Sequence, residues 1–265
     1  MSTGTGTTSP TTTPTAHRTV PGPTLTRLTQ VELRKSSDTR AGFWLLLVIA
    51  LTSPAVALLQ MFFAEEPDKT FALFLANTQL PVGLLLPVLG ILLVTSEWSQ
   101  RTAMTTFALV PDRSRVLGAK VLAATVLALL GVLVTLAAAA LGALLTPVLT
   151  PDATDWALSG AQLGQIVVVQ VLSILIGVAF GMLLLSSPLA IVLYFLAPTV
   201  VTIVSNLVDA LTWMRDWLDL TTTTAPMYLG ELDGQGWLQV ATSVGLWGVL
   251  PMVAGWLRIE RSEIS

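Results

Sequence analysis

Residues 80–95 read LPVGLLLPVLGILLVT, residues 96–120 read SEWSQRTAMTTFALVPDRSRVLGAK, and residues 121–145 read VLAATVLALLGVLVTLAAAALGALL. Two apolar runs flank one basic, proline-punctuated island. A spanning helix needs about 20 mostly apolar residues; the second flank meets that length, and the first does so once extended back to residue 71. The island is therefore read as a loop between two membrane spans.

Outward from the island the same signal recurs. Six stretches are long and apolar enough, at roughly 41–63, 71–96, 117–145, 161–185, 189–208 and 237–257. None shows the strict alternation of a transmembrane barrel strand, so the expected fold is all-α, a polytopic bundle of six transmembrane helices. The composition agrees: 53% of the 265 residues are hydrophobic and 11% charged, against about 25% charged in a soluble domain. Pro54, Pro81, Pro87 and Pro198 fall inside the spans, where neighbouring groups can satisfy a freed carbonyl.

Charge asymmetry orients the bundle. Of thirteen Lys and Arg, only Lys69 and Arg215 fall on one side; the opposite side takes the island, the segment before span 1 and the end of span 6. The positive-inside rule places that basic side, with both termini, in the cytoplasm. The far side is acidic, with Trp156, Trp213, Trp217 and Trp237 near it as an interfacial belt. The expected setting is the lipid bilayer of a cell membrane, crossed several times. Residues 1–26 are rich in Thr, Ser, Pro and Gly, and read as a disordered tail with no apolar signal-peptide region.

Several chemistries have no residues to carry them. With no Cys and a single His, His17, disulfides, thiolate metal sites and a Cys nucleophile are excluded. The central parts of the six spans hold no Asp, Glu, Lys, Arg or His, which disfavours intramembrane catalysis and a proton-coupled pump. A sodium site built from carbonyls would leave no sequence signal. No phosphate-cradling G-x-x-x-x-G-K-[ST] loop occurs, and a net charge of −3 gives no basic field for nucleic acid. The chain is expected to be no enzyme, to bind no cofactor or metal itself, and to draw any energy for transport from another chain.

Within the island, Glu97 ends span 2. Residues 99–109 suit a short helix with Ser99 as N-cap and Pro111 as its stop. Met104, Phe107 and Ala108 share one side, and Arg113, Arg115 and Lys120 follow the turn. This is either a docking knob for another protein's groove or an ordinary interfacial loop with inward positive charge.

The island's residues also resemble the corresponding loop of ABC-2 type transporter permeases. Glu97, Thr102, Pro111, Arg115 and Lys120 stand in that family's order of Glu, Gly-Thr, Pro, Arg and an opening Lys, with Arg101 where the family often has Gly. VELRKSSDTRAGFW (31–44) is similar to the segment before its first span, with Glu32, Lys35 and Arg40 in place. LWGVLPMVAGWLRIERSEI (246–264) resembles its last span, with Trp247, Pro251, Gly255 and Arg258. The resemblance covers about residues 27–265. It implies the membrane subunit of an ATP-driven exporter of a hydrophobic or amphipathic substrate such as a drug, peptide or lipid. It further implies pairing with a second permease copy or a paralogue, and a cytoplasmic ABC ATPase subunit that binds ATP and Mg.

On that likeness, residues 97–117 form a loop coupled to the ATPase, carried by Glu97, Arg101, Thr102, Met104, Phe107, Pro111, Arg115 and Lys120. Residues of about 27–40, with Glu32, Lys35 and Arg40, form an interfacial elbow helix; Lys35 and Arg40 could instead be plain phosphate-facing anchors. Residues of about 207–232 form an external helical segment, where Trp213, Trp217 and Leu220 share a face. Spans 1, 2 and 5 would line the translocation path, which puts Thr52, Asn77, Gln79, Thr199 and Thr202 on it; interhelical hydrogen bonding is their other reading. Gly160 with Gly164, and Gly177 with Gly181, permit close helix approach within the chain or to a second copy. The rival functions are a non-transporting membrane scaffold or immunity factor and an ion-coupled secondary transporter.

Overall fold

The computed structural model describes residues 23–261 apart from 101 and 111. Among these residues there is no strand, only helices and one isolated bridge between Thr70 and Asp155. Six helices are long and apolar enough to cross a membrane. They are α2 (Arg40–Phe63), α3 (Phe71–Ser99), α5 (Arg113–Leu149), α6 (Gly160–Leu184), α7 (Ser187–Leu207) and the segment Gly234–Arg261. That last segment comprises α10 (Gly234–Val244), a π turn at Gly245–Val249 and α11 (Leu250–Arg261). The wide turn precedes Pro251, which has no N–H to give the carbonyl four residues back. Shorter helices complete the chain: α1 (Leu25–Asp38), α4 (Ala103–Leu109), α8 (Thr212–Leu218) and α9 (Leu220–Thr224).

The centre of the bundle is α3 against α6. Of the most apolar window in each, 61% is buried, against 6% in α7, which presents most of its surface outward. The two central helices approach at Gly177, where an added Cβ would stand 2.2 Å from the Pro87 carbonyl oxygen. Gly177 and Gly181 thus face α3 within the chain, whereas Gly160 and Gly164 have nothing within 4 Å of an added Cβ. Prolines 54, 81, 87, 147 and 198 lie inside continuous helices.

Hydrogen bonds fasten both ends. At the acidic end Lys69 pairs with Asp152, and the Gln162 amide donates to the carbonyls of Ala72 and Tyr228 at 3.0 and 2.9 Å. At the basic end Arg113 donates to the Ile259 carbonyl at 2.7 Å, and Arg258 donates to the Leu183 carbonyl. The Leu183 carbonyl lies in the last turn of α6, where a helix terminus leaves carbonyls without an intrahelical donor.

Several sequence expectations need correction. The expected elbow helix of about 27–40 begins earlier, at Leu25, capped by the Thr24 hydroxyl, and ends at Asp38. Thr39 is extended and caps α2, so Arg40 opens the first span instead of closing the elbow. The turn admits no side chain at Gly42, where a Cβ would meet the Ser36 carbonyl oxygen at 1.8 Å. Ser99 is not the N-cap of the loop helix. It is the last residue of α3, its hydroxyl donating to the Thr95 carbonyl at 3.0 Å, and α4 starts only at Ala103. The stretch 209–220, read as one amphipathic helix, is broken, because buried Asp219 is extended and caps α9 through the Thr221 N–H at 3.0 Å. Trp213 and Trp217 therefore lie on α8, and Leu220 opens the next helix.

Candidate functional site

Four side chains from three helices close into a ring at the basic end. Glu32 and Lys35 come from α1, Glu97 from the last turn of α3, and Lys120 from the third turn of α5. Lys35 Nζ lies 2.8 Å from Glu32 Oε1 and 2.6 Å from Glu97 Oε1. Lys120 Nζ lies 2.7 Å from Glu32 Oε2 and 3.3 Å from Glu97 Oε2. Each ammonium thus bridges both carboxylates and each carboxylate both ammoniums, so the ring is neutral. The side chains of Glu32, Glu97 and Lys120 are buried and only that of Lys35, 40% exposed, reaches the surface.

The local sequence explains the geometry. Glu32 and Lys35 are three apart, which stacks them on one face of α1. That face packs on α5, where Lys120 also donates to the Leu93 carbonyl of α3 at 2.8 Å. Charges this deep need such company, because an unpaired buried ion is costly. Burial pulls the Lys35 pKa down, but the carboxylates of Glu32 and Glu97 outweigh it and hold the ammonium above the usual lysine value.

The ring reaches α4 through Thr106, whose hydroxyl donates to Glu97 Oε1 at 3.3 Å. The Thr102 N–H and hydroxyl both donate to the Glu97 carbonyl, at 2.9 and 3.4 Å, so the loop helix hangs from the end of span 2 by three bonds to one residue. Beside them a groove of about 480 Å3 runs between α1, α4 and α5, walled by Leu28, Val31, Leu109 and Val116. Arg115 is exposed in the first turn of α5, its N–H held at 3.2 Å by Asp112, the N-cap. The Ser114 hydroxyl and the Arg115 N–H both donate to the Asp112 carboxylate and lower its pKa. Neither Arg115 nor Arg40 belongs to the ring. Arg101 and Pro111 lie outside the described residues, as do the side chains of Met104 and Phe107.

The residues expected on a path separate into two groups. Asn77, Gln79 and Thr199 line one cavity of about 510 Å3 between α3, α6, α7 and the α9 segment, whereas Thr52 and Thr202 do not line it. The hydroxyls of Thr52, Thr199 and Thr202 donate to the carbonyls of Val48, Phe195 and Pro198, four residues back. Such hydroxyls are satisfied by their own helix and need no polar surroundings. Asn77 donates to Gln60 Oε1 at 2.9 Å, and Gln79 to Thr135 Oγ1 at 2.8 Å.

Sequence reasoning named every member of the ring without joining them, and missed Thr106 and the Leu93 carbonyl. It also missed Tyr194 and Tyr228, which both line the cavity. They are the only two tyrosines in the chain, a rarity that could have singled them out.

Compared with models of known protein families and with curated proteins, this chain matches none.

Proposed function

We propose that this chain is the membrane-spanning subunit of an ABC-2 type exporter, moving a hydrophobic or amphipathic substrate with energy from a separate ATPase. One observation carries the reading. The short helix α4 is tied by Thr102 and Thr106 to Glu97, and Glu97 is locked into a ring with α1 and α5. A push on α4 is thereby delivered to spans 2 and 3 and to α1 together, which is what a coupling element requires. A loop serving only as a positive flank needs no buried ion ring behind it.

On this reading the basic end faces the cytoplasm, Met104 and Phe107 of α4 insert into the ATPase, and ATP and Mg bind there. A second permease copy or a paralogue completes the pathway, with the outward-facing α7 available to meet it. The deciding experiment is co-purification with ATPases encoded beside this chain, followed by ATP hydrolysis in proteoliposomes against a panel of lipophilic compounds. Stimulated hydrolysis and compound efflux are expected; a chain that recruits no ATPase and moves no compound rejects the reading and leaves a membrane scaffold.

A further inference from the structure

The cavity between α3, α6, α7 and the α9 segment differs in chemistry from the ring. Its volume, about 510 Å3, falls in the range of about 300–1,000 Å3 typical of small-molecule sites. Tyr194, Phe195 and Tyr228 bring aromatic surface to it, and no Asp, Glu, Lys, Arg or His lines it. Gln79 forms part of the wall at 1% exposure, and its Oε1 is buried with no hydrogen-bond partner among the described residues. A buried amide oxygen without a donor is costly. The Thr135 hydroxyl gives its proton to the Val132 carbonyl at 2.8 Å and accepts from the Gln79 amide N–H at 2.8 Å, so turning the amide round would set its carbonyl against an oxygen whose proton is already engaged. Gly83 leaves space on the same wall, where an added Cβ would stand 3.5 Å from the Tyr228 hydroxyl.

We infer that this cavity binds an uncharged, ring-containing amphipathic molecule that donates an N–H or O–H to Gln79 Oε1 and lays its apolar body on Tyr194, Phe195 and Tyr228. An anion would find no cation in the wall, and a cation no carboxylate; either would lose its hydration without a partner. A simple lipid acyl chain would leave the Gln79 carbonyl as it is. The inference deepens the exporter reading by naming its substrate class, and rests on that reading for transport but not for binding.

The test uses the full chain in phosphatidylcholine nanodiscs and a pair of fluorescent probes with one core. N-phenylnaphthylamine is uncharged and carries an N–H; anilinonaphthalene sulfonate adds a negative charge to the same skeleton. After subtraction of empty discs, the amine is expected to bind saturably at one per chain and the sulfonate not to bind. Gly83→Leu fills the cavity and is expected to abolish binding. Gln79→Leu is expected to weaken it roughly tenfold. Because Gln79 also holds Thr135, Tyr228→Phe provides a second polar variant that keeps the ring, and a weakening of a few-fold is expected. Saturable binding undiminished in Gly83→Leu, or equal affinity for the sulfonate, overturns the site. Binding lost in Gly83→Leu yet indifferent to both polar variants marks an acyl-chain groove and overturns the ligand class. If probe binding follows the variants but no ATPase associates, the exporter reading fails and the binding site stands; an associated ATPase with no probe binding gives the reverse.

Discussion

Lys120 and Glu32, 88 positions apart, meet at 2.7 Å in a buried contact that joins the third span to the helix preceding the first. Glu97 and Lys35 complete the ring, so none of the four can be neutralised alone without leaving an opposite charge stranded.

Stability should reveal this interdependence. Lys120→Met leaves two carboxylates facing one lysine, and about 3–5 kcal/mol of destabilisation is expected, as for other broken buried pairs. Adding Glu32→Gln restores neutrality and should recover most of the loss. Thermal unfolding in detergent checks both. A double variant no more stable than Lys120→Met would show that the four groups do not act as one unit.

Alkaline pH should weaken the fold, for two reasons of the same sign. The Lys35 pKa is raised above 10.5 by its carboxylates, and the Tyr228 pKa is raised above 10.0 by burial. In each case the folded state holds its proton more tightly than the unfolded chain. The stabilisation is complete below the unfolded values and is lost as pH rises through the folded ones. Unfolding temperature should therefore hold level up to about the tyrosine reference value of 10.0 and fall beyond it. Lys35→Met and Tyr228→Phe should each make that fall shallower; profiles parallel to the unmodified chain would refute the assignment.

Close helix contact makes Gly177 irreplaceable. A methyl group there would collide with the Pro87 carbonyl, and Gly177→Ala should cost about 1–3 kcal/mol or more through forced separation of α3 and α6. Gly164→Ala, with open space around the new Cβ, should leave stability unchanged or slightly raised. Chemical or thermal unfolding of the two variants side by side distinguishes a packed glycine from a free one.

The proposed coupling role predicts a separation of assembly from folding. Phe107→Ala should reduce ATPase recovery in pull-downs at least tenfold, as loss of a large apolar anchor does, while abundance in the membrane stays normal. Trp217→Ala, on α8 at the opposite end, should leave recovery intact. Equal recovery from both variants would return the island to a plain positively charged loop.

Orientation can be read directly, because the chain contains no Cys and single cysteines can be introduced cleanly. Thr105→Cys should resist a membrane-impermeant maleimide in intact cells and react after lysis. Ala153→Cys should react in both. The reverse pattern would place the basic end outside and remove the coupling reading with it.

The spans were legible in the sequence to within a few residues. Burial of some twenty consecutive apolar residues in hydrocarbon is a one-dimensional requirement, met by 71–96 as by 161–185 without reference to any partner. The boundaries that misled, at Ser99, Arg40 and Asp219, are set by competing caps. Several nearby hydroxyls and carboxylates can end a helix, and the choice among them depends on how the chain turns next.

The sequence by itself thus determined an all-α chain with six membrane-length helices, a short helix in the basic island, and the individual charges Glu32, Lys35, Glu97 and Lys120. Only the tertiary structure decided that these four charges form one closed ring, that Gly177 packs within the chain, and that Asn77, Gln79 and Thr199 share a cavity while Thr52 and Thr202 do not. The reason is physical: hydrophobic length is a property of a segment, whereas an ion pair or a cavity wall is a property of helices brought together from distant parts of the chain. Side chains 62 and 88 positions apart acquire their partners only when α1, α3 and α5 pack.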